Sequence, residues 1–327
     1  MLSDLYAAVA RRRREQYARR PFLRRRLRHP VISIGNLAVG GRGKTPMAAL
    51  VARLLREAGE RPAILSRGYG RTEPVDGVVV VRDSEAIRAD LPRAGDEPLM
   101  LARQLPGVCV LVCEDRYLAG RLAEHHLGAT VHVLDDGLQH LQLDRDVDIV
   151  MVGREDAAKP VTLPTGRLRE PLDTLIVADA IVADPGVEIE TAGIPAPIFR
   201  ARRTAGAPVI DGAPFTPGPA FAVAGIAQPS AFFSQLEASG HRLVGRLAVA
   251  DHHPYSARDL MGIAGKARGA GASCVLTTEK DYVRLLPFRP FPLAVAVVPL
   301  TIEPEPLSEF NSWLIASMRA ARDIPGD

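Results

Sequence analysis

The chain has 327 residues, 47% of them hydrophobic and 24% charged, with a formal net charge of +3. This length exceeds the ~100–200 residues of one ordinary domain, so the composition predicts a globular protein of two domains, or one enlarged α/β domain, with an ample core. Cys109, Cys113 and Cys274 are odd in number and lack metal-ligand spacing, which excludes a disulfide framework and structural zinc; no apolar run approaches the roughly 18–20 residues of a membrane-spanning helix.

The charge is unevenly spread. Residues 1–30 carry ten arginines against Asp4 and Glu15, a net +8, which leaves −5 on the remainder. Leu2, Leu5, Tyr6 and Val9 precede the arginines at 11–14, the reverse of a signal peptide, so export is not expected. Leu2, Leu5, Tyr6, Val9, Arg13 and Tyr17 fall at helical spacing and predict a short amphipathic helix ended near Pro21, with a second basic, apolar cluster over 22–27. Residues 1–28 therefore suit three roles: lying on an anionic membrane surface, binding nucleic acid, or docking on the core with a solvated arginine face.

Residues 31–47, VISIGNLAVGGRGKTPM, run an apolar strand into Gly40, Gly41 and Gly43 and then a Lys44-Thr45 pair that opens a helix over 47–58. The glycines let the backbone turn its N–H groups toward phosphate oxygens, and the helix adds its positive end. Lys44 is expected on the β/γ-phosphates of a nucleotide triphosphate and Thr45 on magnesium. The strict pattern is not met, since Ala38 stands where its first glycine belongs.

A second strand is predicted over 63–66, ending in the loop Arg67-Gly68-Tyr69-Gly70-Arg71. A third follows at 78–81, a helix from Gly95 through Gln104, a strand at 108–112, a helix at 114–127, and a strand at 131–134 that runs into Asp135-Asp136. This alternation predicts an α/β fold, a P-loop NTPase-like, mostly parallel sheet with helices on both faces, spanning 29–205. Its candidates are expected just after strands, along one rim. Residues 183–219, rich in Pro, Gly and Ala, read as a linker or a weak two-stranded connection. A second, smaller α/β domain is expected over 206–327, with strands at 220–224, 274–277 and 293–298 and helices at 230–239 and 257–268, completing the cleft.

Asp135 and Asp136 occupy the strand end where P-loop enzymes place a carboxylate on or near the metal. Asp96 and Glu97, just before Pro98, read either as helix-capping acids or as chemistry. Asp251-His252-His253 reads as a polar turn, or as an Asp–His group able to take an acceptor's proton near neutral pH. Three classes stay open on these residues: a kinase acting on a hydroxyl, a P-loop ATPase switch or metallochaperone-like NTPase without a small-molecule acceptor, and a non-catalytic nucleotide- or lipid-binding module. Deviant ATPases carry a lysine just before the paired glycines, and here that position is Val39.

Seven blocks in order carry a resemblance: Asn36 with Val39-Gly40-Gly41-x-Gly43-Lys44-Thr45-Pro46, Ser66-Arg67-Gly68-Tyr69-Gly70, Gly95-Asp96-Glu97-Pro98, Asp135-Asp136-Gly137-Leu138-Gln139-His140, Leu168-Arg169-Glu170-Pro171, Asp251-His252-His253, and Thr277-Thr278-Glu279-Lys280-Asp281. Over nearly its whole length the chain resembles the tetraacyldisaccharide 4′-kinase family, the lipid A 4′-kinases of bacteria. The resemblance implies an enzyme that uses ATP and Mg2+ to phosphorylate the 4′-hydroxyl of a tetraacylated glucosamine disaccharide 1-phosphate. The implied place is the cytoplasmic face of the inner membrane, with the acylated lipid and an anionic membrane surface as partners, and neither nucleic acid nor an obligate protein partner. By matching motif it implies that Lys44 and Thr45 bind phosphate and magnesium, that Asp135 and Asp136 serve the metal and the phosphoryl site, and that Asp96 with His252 activates the sugar hydroxyl. Tyr69, Glu97, His140, Arg169 and Glu170 are implied as substrate-positioning residues. Arg42, Arg167 and Ala227-Gln228 depart from the family's usual Thr, Pro and Gly-Asn, changes that touch loop shape more than chemistry.

Overall fold

The computed structural model describes residues 1–40, 43–189 and 193–322. The chain opens with helix α1 (Leu2–Arg19). Strand β1 (Val31–Asn36) runs into α2 (Lys44–Glu57), followed by β2 (Pro62–Ser66), β3 (Val79–Arg82), the helices α3 (Leu91–Ala94) and α4 (Asp96–Gln104), β4 (Cys109–Val112) and α5 (Arg116–His126). Next come β5 (Val131–Asp135), β6 (Val147–Val152), α6 (Arg154–Ala158), β7 (Ala180–Ala183) and β8 (Ile198–Ala205). A short hairpin, β9 (Val209–Ile210) with β10 (Ala213–Pro214), leads to β11 (Ala220–Ala224), α7 (Pro229–Ala238), β12 (Leu243–Ala248), α8 (Ala257–Gly269) and β13 (Cys274–Thr278). The chain ends with α9 (Glu279–Leu285), β14 (Ala294–Val298), β15 (Leu300–Glu305) and α10 (Leu307–Arg322).

The first sheet has nine strands in the order β15-β8-β7-β6-β1-β5-β2-β4-β3, parallel except at its two edges, where β3 runs against β4 and β15 against β8. Strands β1, β2, β4, β5, β6 and β7 are buried along their length and mostly apolar, with Ser33, His132 and Asp148 among the exceptions, because both faces are covered. Ile32, Ile34, Ile64 and Ile149 pack one face under α2, α4 and α10, while Val31, Ala63, Leu65 and Leu111 pack the other under α5. The second sheet, β10-β9-β14-β13-β11-β12, is built from residues 209–298. Phe232, Phe233 and Leu236 of α7 cover one of its faces, and Leu260, Ile263 and Ala267 of α8 the other. The three cysteines are buried free thiols.

Two expectations need correction. Residues 198–205, read as part of a linker, form β8 inside the first sheet: Phe199 and Ala201 are buried, with the more exposed Arg200 and Arg202 between them, an alternation that the arginines disguise in the sequence. Residues 300–322, expected in the second domain, return to the first, where Ile302, Phe310, Leu314 and Met318 join the core under α2 and α10. The hairpin at 209–214 matches the weak two-stranded connection.

Candidate active site

β1, β5 and β2 are adjacent parallel strands, so the loops that leave their carboxyl ends stand side by side. Gly43 caps α2 in a left-handed conformation, φ 80°, and Gly40 also has positive φ, 101°, so both turns call for glycine. Gly41 lies outside the described residues. The turn carries Lys44 back over β1, where its Nζ lies 3.1 Å from Asn36 Oδ1, 3.3 Å from the Gly40 carbonyl and 3.6 Å from Asp136 Oδ1. Thr45 is buried and donates its hydroxyl to Asp135 Oδ2 at 3.1 Å. Arg169 forks onto Asp136, Nη1 to Oδ2 at 3.0 Å and Nη2 to Oδ1 at 2.8 Å, and Nη2 also reaches Asn36 Oδ1 at 2.6 Å.

The two aspartates are pushed in opposite directions. Burial, then the carboxylates of Glu97 and Asp136, push Asp135 up to about 7. Burial acts on Asp136 in the same direction, but the Arg169 fork, Lys44 and Arg116 outweigh it and hold its carboxyl below the usual range. Asp136 also has a left-handed backbone, φ 56°, the kind of local strain found where a side chain must be aimed.

The opposite wall comes from both domains. Asp96 opens α4, which follows α3 rather than a strand, so it does not share the strand-end placement expected for every candidate. It is brought to the cleft because Gly95, φ 83°, turns the chain hard against the loop after β2: a Cβ there would sit 2.8 Å from the Tyr69 carbonyl. Asp96 is buried, and its Oδ2 lies 3.0 Å from His252 Nδ1 and accepts from Arg284 Nε at 3.0 Å. His252 too is left-handed, φ 58°, and its Nε2 is 3.0 Å from Lys280 Nζ. A lysine can only donate, so this pattern assigns the ring proton to Nδ1, toward Asp96. Lys280 also pairs with Glu97 at 3.3 Å and with Asp251 at 3.5 Å. Burial would raise Asp96, yet Lys280, Arg284 and His252 hold it below its ordinary value. Glu97, close enough to Asp135 to raise it, joins the two walls.

The remaining sequence candidates divide. Tyr69, 71% exposed, turns its ring edge-on to His252 at 5.8 Å. Glu170 is buried and engaged by Arg14 of α1, Nε to Oε2 at 2.7 Å, and by Gln139 at 3.0 Å, so it does not face the cleft as a free carboxylate. His140 is buried beside Arg116, Nδ1 to Nη1 at 3.3 Å, and burial with Arg116 and Arg145 drives it down to about 4. Asn36, Arg116, Lys280 and Arg284 were not singled out for roles. Asn36 had a signal, being the last residue of an apolar strand before the glycines. Arg284 had none, as its partner Asp96 is 188 positions away.

The profile of the tetraacyldisaccharide-1-P 4′-kinase family matches residues 1–319. The chain belongs to this family. It is a kinase, and similar proteins agree along its length. The tetraacyldisaccharide 4′-kinases of Geobacter metallireducens and Pelobacter propionicus are 41% and 40% identical to it, over 88% and 87% of this chain and 88% and 81% of theirs. The crystal structure of LpxK from Aquifex aeolicus, an "apo" form in complex with ATP, superposes with a TM-score of 0.81 at 30% identity, covering 97% of each chain. The α/β fold with a large, mostly parallel sheet is therefore that of a P-loop kinase.

Proposed function

We propose that the two walls of this cleft transfer the γ-phosphate of ATP to the 4′-hydroxyl of a tetraacyldisaccharide 1-phosphate, the family's reaction, with the following division of labour. Lys44 neutralises the β/γ-phosphates, and Gly40 and Gly43, with Gly41 between them, cradle them. Thr45, Asp135 and Asp136 are hard oxygen donors that suit Mg2+. A buried carboxylate held near 7 by neighbouring carboxylates is the kind of group a divalent cation relieves, and Mg2+ is commonly held by one or two carboxylates with phosphate oxygens. Held by Thr45, Asp135 and Asp136, Mg2+ would supply neutralisation of the phosphate charge. Arg169 keeps Asp136 ionised and aimed.

The acceptor oxygen attacks the γ-phosphorus, its bond to the β–γ bridging oxygen breaks, and ADP leaves. The hydroxyl proton passes to the Asp96 carboxylate of the Asp96–His252 pair: the ring directs its Nδ1 proton at Asp96, Lys280 donates to Nε2, and Arg284 fixes the carboxylate. Proton handling of this kind contributes roughly 10²–10⁴ in rate. Tyr69 and Glu97 line the acceptor's approach.

The carrying observation is the buried Asp96–His252 contact at 3.0 Å on a wall joined by Glu97 to the Thr45–Asp135 group. An ATPase switch has no use for such a pair. The test is product formation: purified chain with ATP, Mg2+ and tetraacyldisaccharide 1-phosphate in mixed micelles should yield the 4′-phosphorylated lipid in step with ADP. ADP release that ignores the lipid would overturn the reading.

No helix among the described residues is long and apolar enough to cross a membrane. We place the chain peripherally, on the cytoplasmic face of the inner membrane, through α1. Leu2, Leu5 and Val9 are 66%, 63% and 60% exposed, and Phe22 lies open beyond the helix. The opposite side of α1 is docked: Arg11 meets Asp173 at 2.7 Å and Arg14 meets Glu170. Core docking and a free apolar stripe thus coexist, and the stripe with the exposed Arg12, Arg13 and Arg20 suits an anionic leaflet.

A further inference from the structure

We propose that Arg14 of α1 is a positioning residue for phosphoryl transfer, because it starts a continuous hydrogen-bonded path from the surface helix to Lys44 and Asp136. The inference rests on the kinase reading above.

Arg14 is unlike the other arginines of its helix. Arg11, Arg12 and Arg13 are exposed, whereas Arg14 turns inward and donates twice to Glu170, Nε to Oε2 at 2.7 Å and Nη2 to Oε1 at 2.8 Å, and once to the Leu138 carbonyl at 3.1 Å. Leu138 is two residues beyond Asp136. Glu170 Oε1 also accepts from Gln139 Nε2, which donates in turn to the Asn36 carbonyl at 3.1 Å. Asn36 Oδ1 accepts from both Lys44 and Arg169, and Arg169, the neighbour of Glu170 in the chain, grips Asp136. Each link is a hydrogen bond between named atoms or a covalent step, within Asn36 or from Glu170 to Arg169. A planar guanidinium that satisfies both carboxylate oxygens and a backbone carbonyl fixes direction as well as distance, which a lysine cannot reproduce.

Removing this fork leaves Glu170 buried and half-satisfied, free to draw Gln139 and Arg169 out of register with Asn36. Side chains that must be held within fractions of an ångström then lose their aim, and the loss falls on the chemical step rather than on substrate affinity. The helix that meets the lipid surface is thereby wired to the phosphate-binding lysine.

The experiment compares Arg14→Ala, Arg14→Lys, Glu170→Gln and Arg11→Ala in the full chain, with saturating ATP and acceptor in mixed micelles. Arg14→Ala should lower kcat about tenfold or more while KM for ATP and acceptor moves less than about threefold, and Arg14→Lys should recover only part of the loss. Arg14→Ala with Glu170→Gln should be no worse than the more damaging single change. Arg11→Ala, whose partner Asp173 is exposed, should keep the parent kcat. Binding of Arg14→Ala to phosphatidylglycerol vesicles should match the parent. A parent-like kcat in Arg14→Ala, full rescue by lysine, or a loss matched by Arg11→Ala overturns the proposal. If Arg14→Ala fails to fold, the kcat and KM of Arg14→Lys decide alone. A parent chain that leaves the lipid unphosphorylated instead removes the kinase reading beneath it.

Discussion

The two walls of the cleft are built on opposite plans. The nucleotide wall takes Lys44, Thr45, Asp135 and Asp136 from strand ends of one sheet, where β1 and β5 are neighbours, so the parallel topology alone sets them side by side. The acceptor wall joins Asp96, on a connection of the first sheet, to His252, Lys280 and Arg284, on connections of the second, so contact between the two sheets' connections assembles it. Their electrostatics differ accordingly. The first wall gathers carboxylates and raises Asp135, a site waiting for positive charge; the second surrounds Asp96 with cations and keeps it ionised. The phosphate-binding half is thus prepared before substrates arrive, while the proton-accepting half exists only as long as the interface does.

The sharpest test of the first wall is Lys44→Ala, which should abolish phosphoryl transfer while far-UV dichroism and the thermal midpoint stay near the parent, since the lysine neutralises phosphate and holds up no core. Parent-like turnover in a folded variant would break the assignment.

On the second wall, Asp96→Ala and His252→Ala should each cost roughly 10²–10⁴ in turnover with ATP affinity nearly unchanged, and the double variant should be scarcely worse than the poorer single one. Losses that multiply would show two independent residues rather than one proton-handling unit.

Arg284→Ala separates assembly from chemistry. It removes the cation that hydrogen-bonds the buried Asp96 carboxylate and leaves only His252 and Lys280 to balance it, so the thermal midpoint should fall together with kcat, whereas Lys44→Ala lowers kcat alone. Equal midpoints for the two variants would mean that the interface does not depend on this pair.

A gentler probe is pH. Because Asp96 titrates below its ordinary value when folded, its contribution to stability is complete above the unfolded value of about 3.9 and is lost as pH falls through the lower folded value. Between about pH 5 and 2 the chain should lose stability more steeply than Asp96→Asn does, measured by denaturant unfolding at each pH. The smallest effect on nucleotide binding belongs to α1, although its removal takes Arg14 with it and should lower kcat at least as far as Arg14→Ala does. Deleting residues 1–28 should weaken binding to anionic vesicles and raise the lipid concentration at half-maximal rate, with ATP binding almost unchanged, and high salt should mimic part of the vesicle loss.

The contrast between the walls also explains what the sequence disclosed. The strand, glycines, Lys44 and Thr45 are contiguous, and Asp135 ends an unbroken apolar strand, so local pattern suffices there. Arg284 and Lys280 lie on a seven-residue helix that looks like any other, and their partners become visible only when the domains close. Glu170 shows the converse limit: its motif pointed to substrate positioning, and only the docked helix reveals that Arg14 occupies it. The second sheet's strands β11, β13 and β14 were legible as apolar runs, while β8 and the edge strand β15 were not, because both alternate polar or charged residues with buried ones.

β8 and β15 also mark where the two sheets are joined. The chain passes from the first domain to the second after β8 and returns before β15, and the two crossings run antiparallel, paired over six residues, with the Gly206 amide donating to the Pro299 carbonyl at 2.8 Å where they leave the sheet. A single tether would let the second domain swivel freely. Two connections held side by side by that hydrogen bond restrain twisting about either one, which suits a wall whose His252 and Arg284 must meet Asp96 in line.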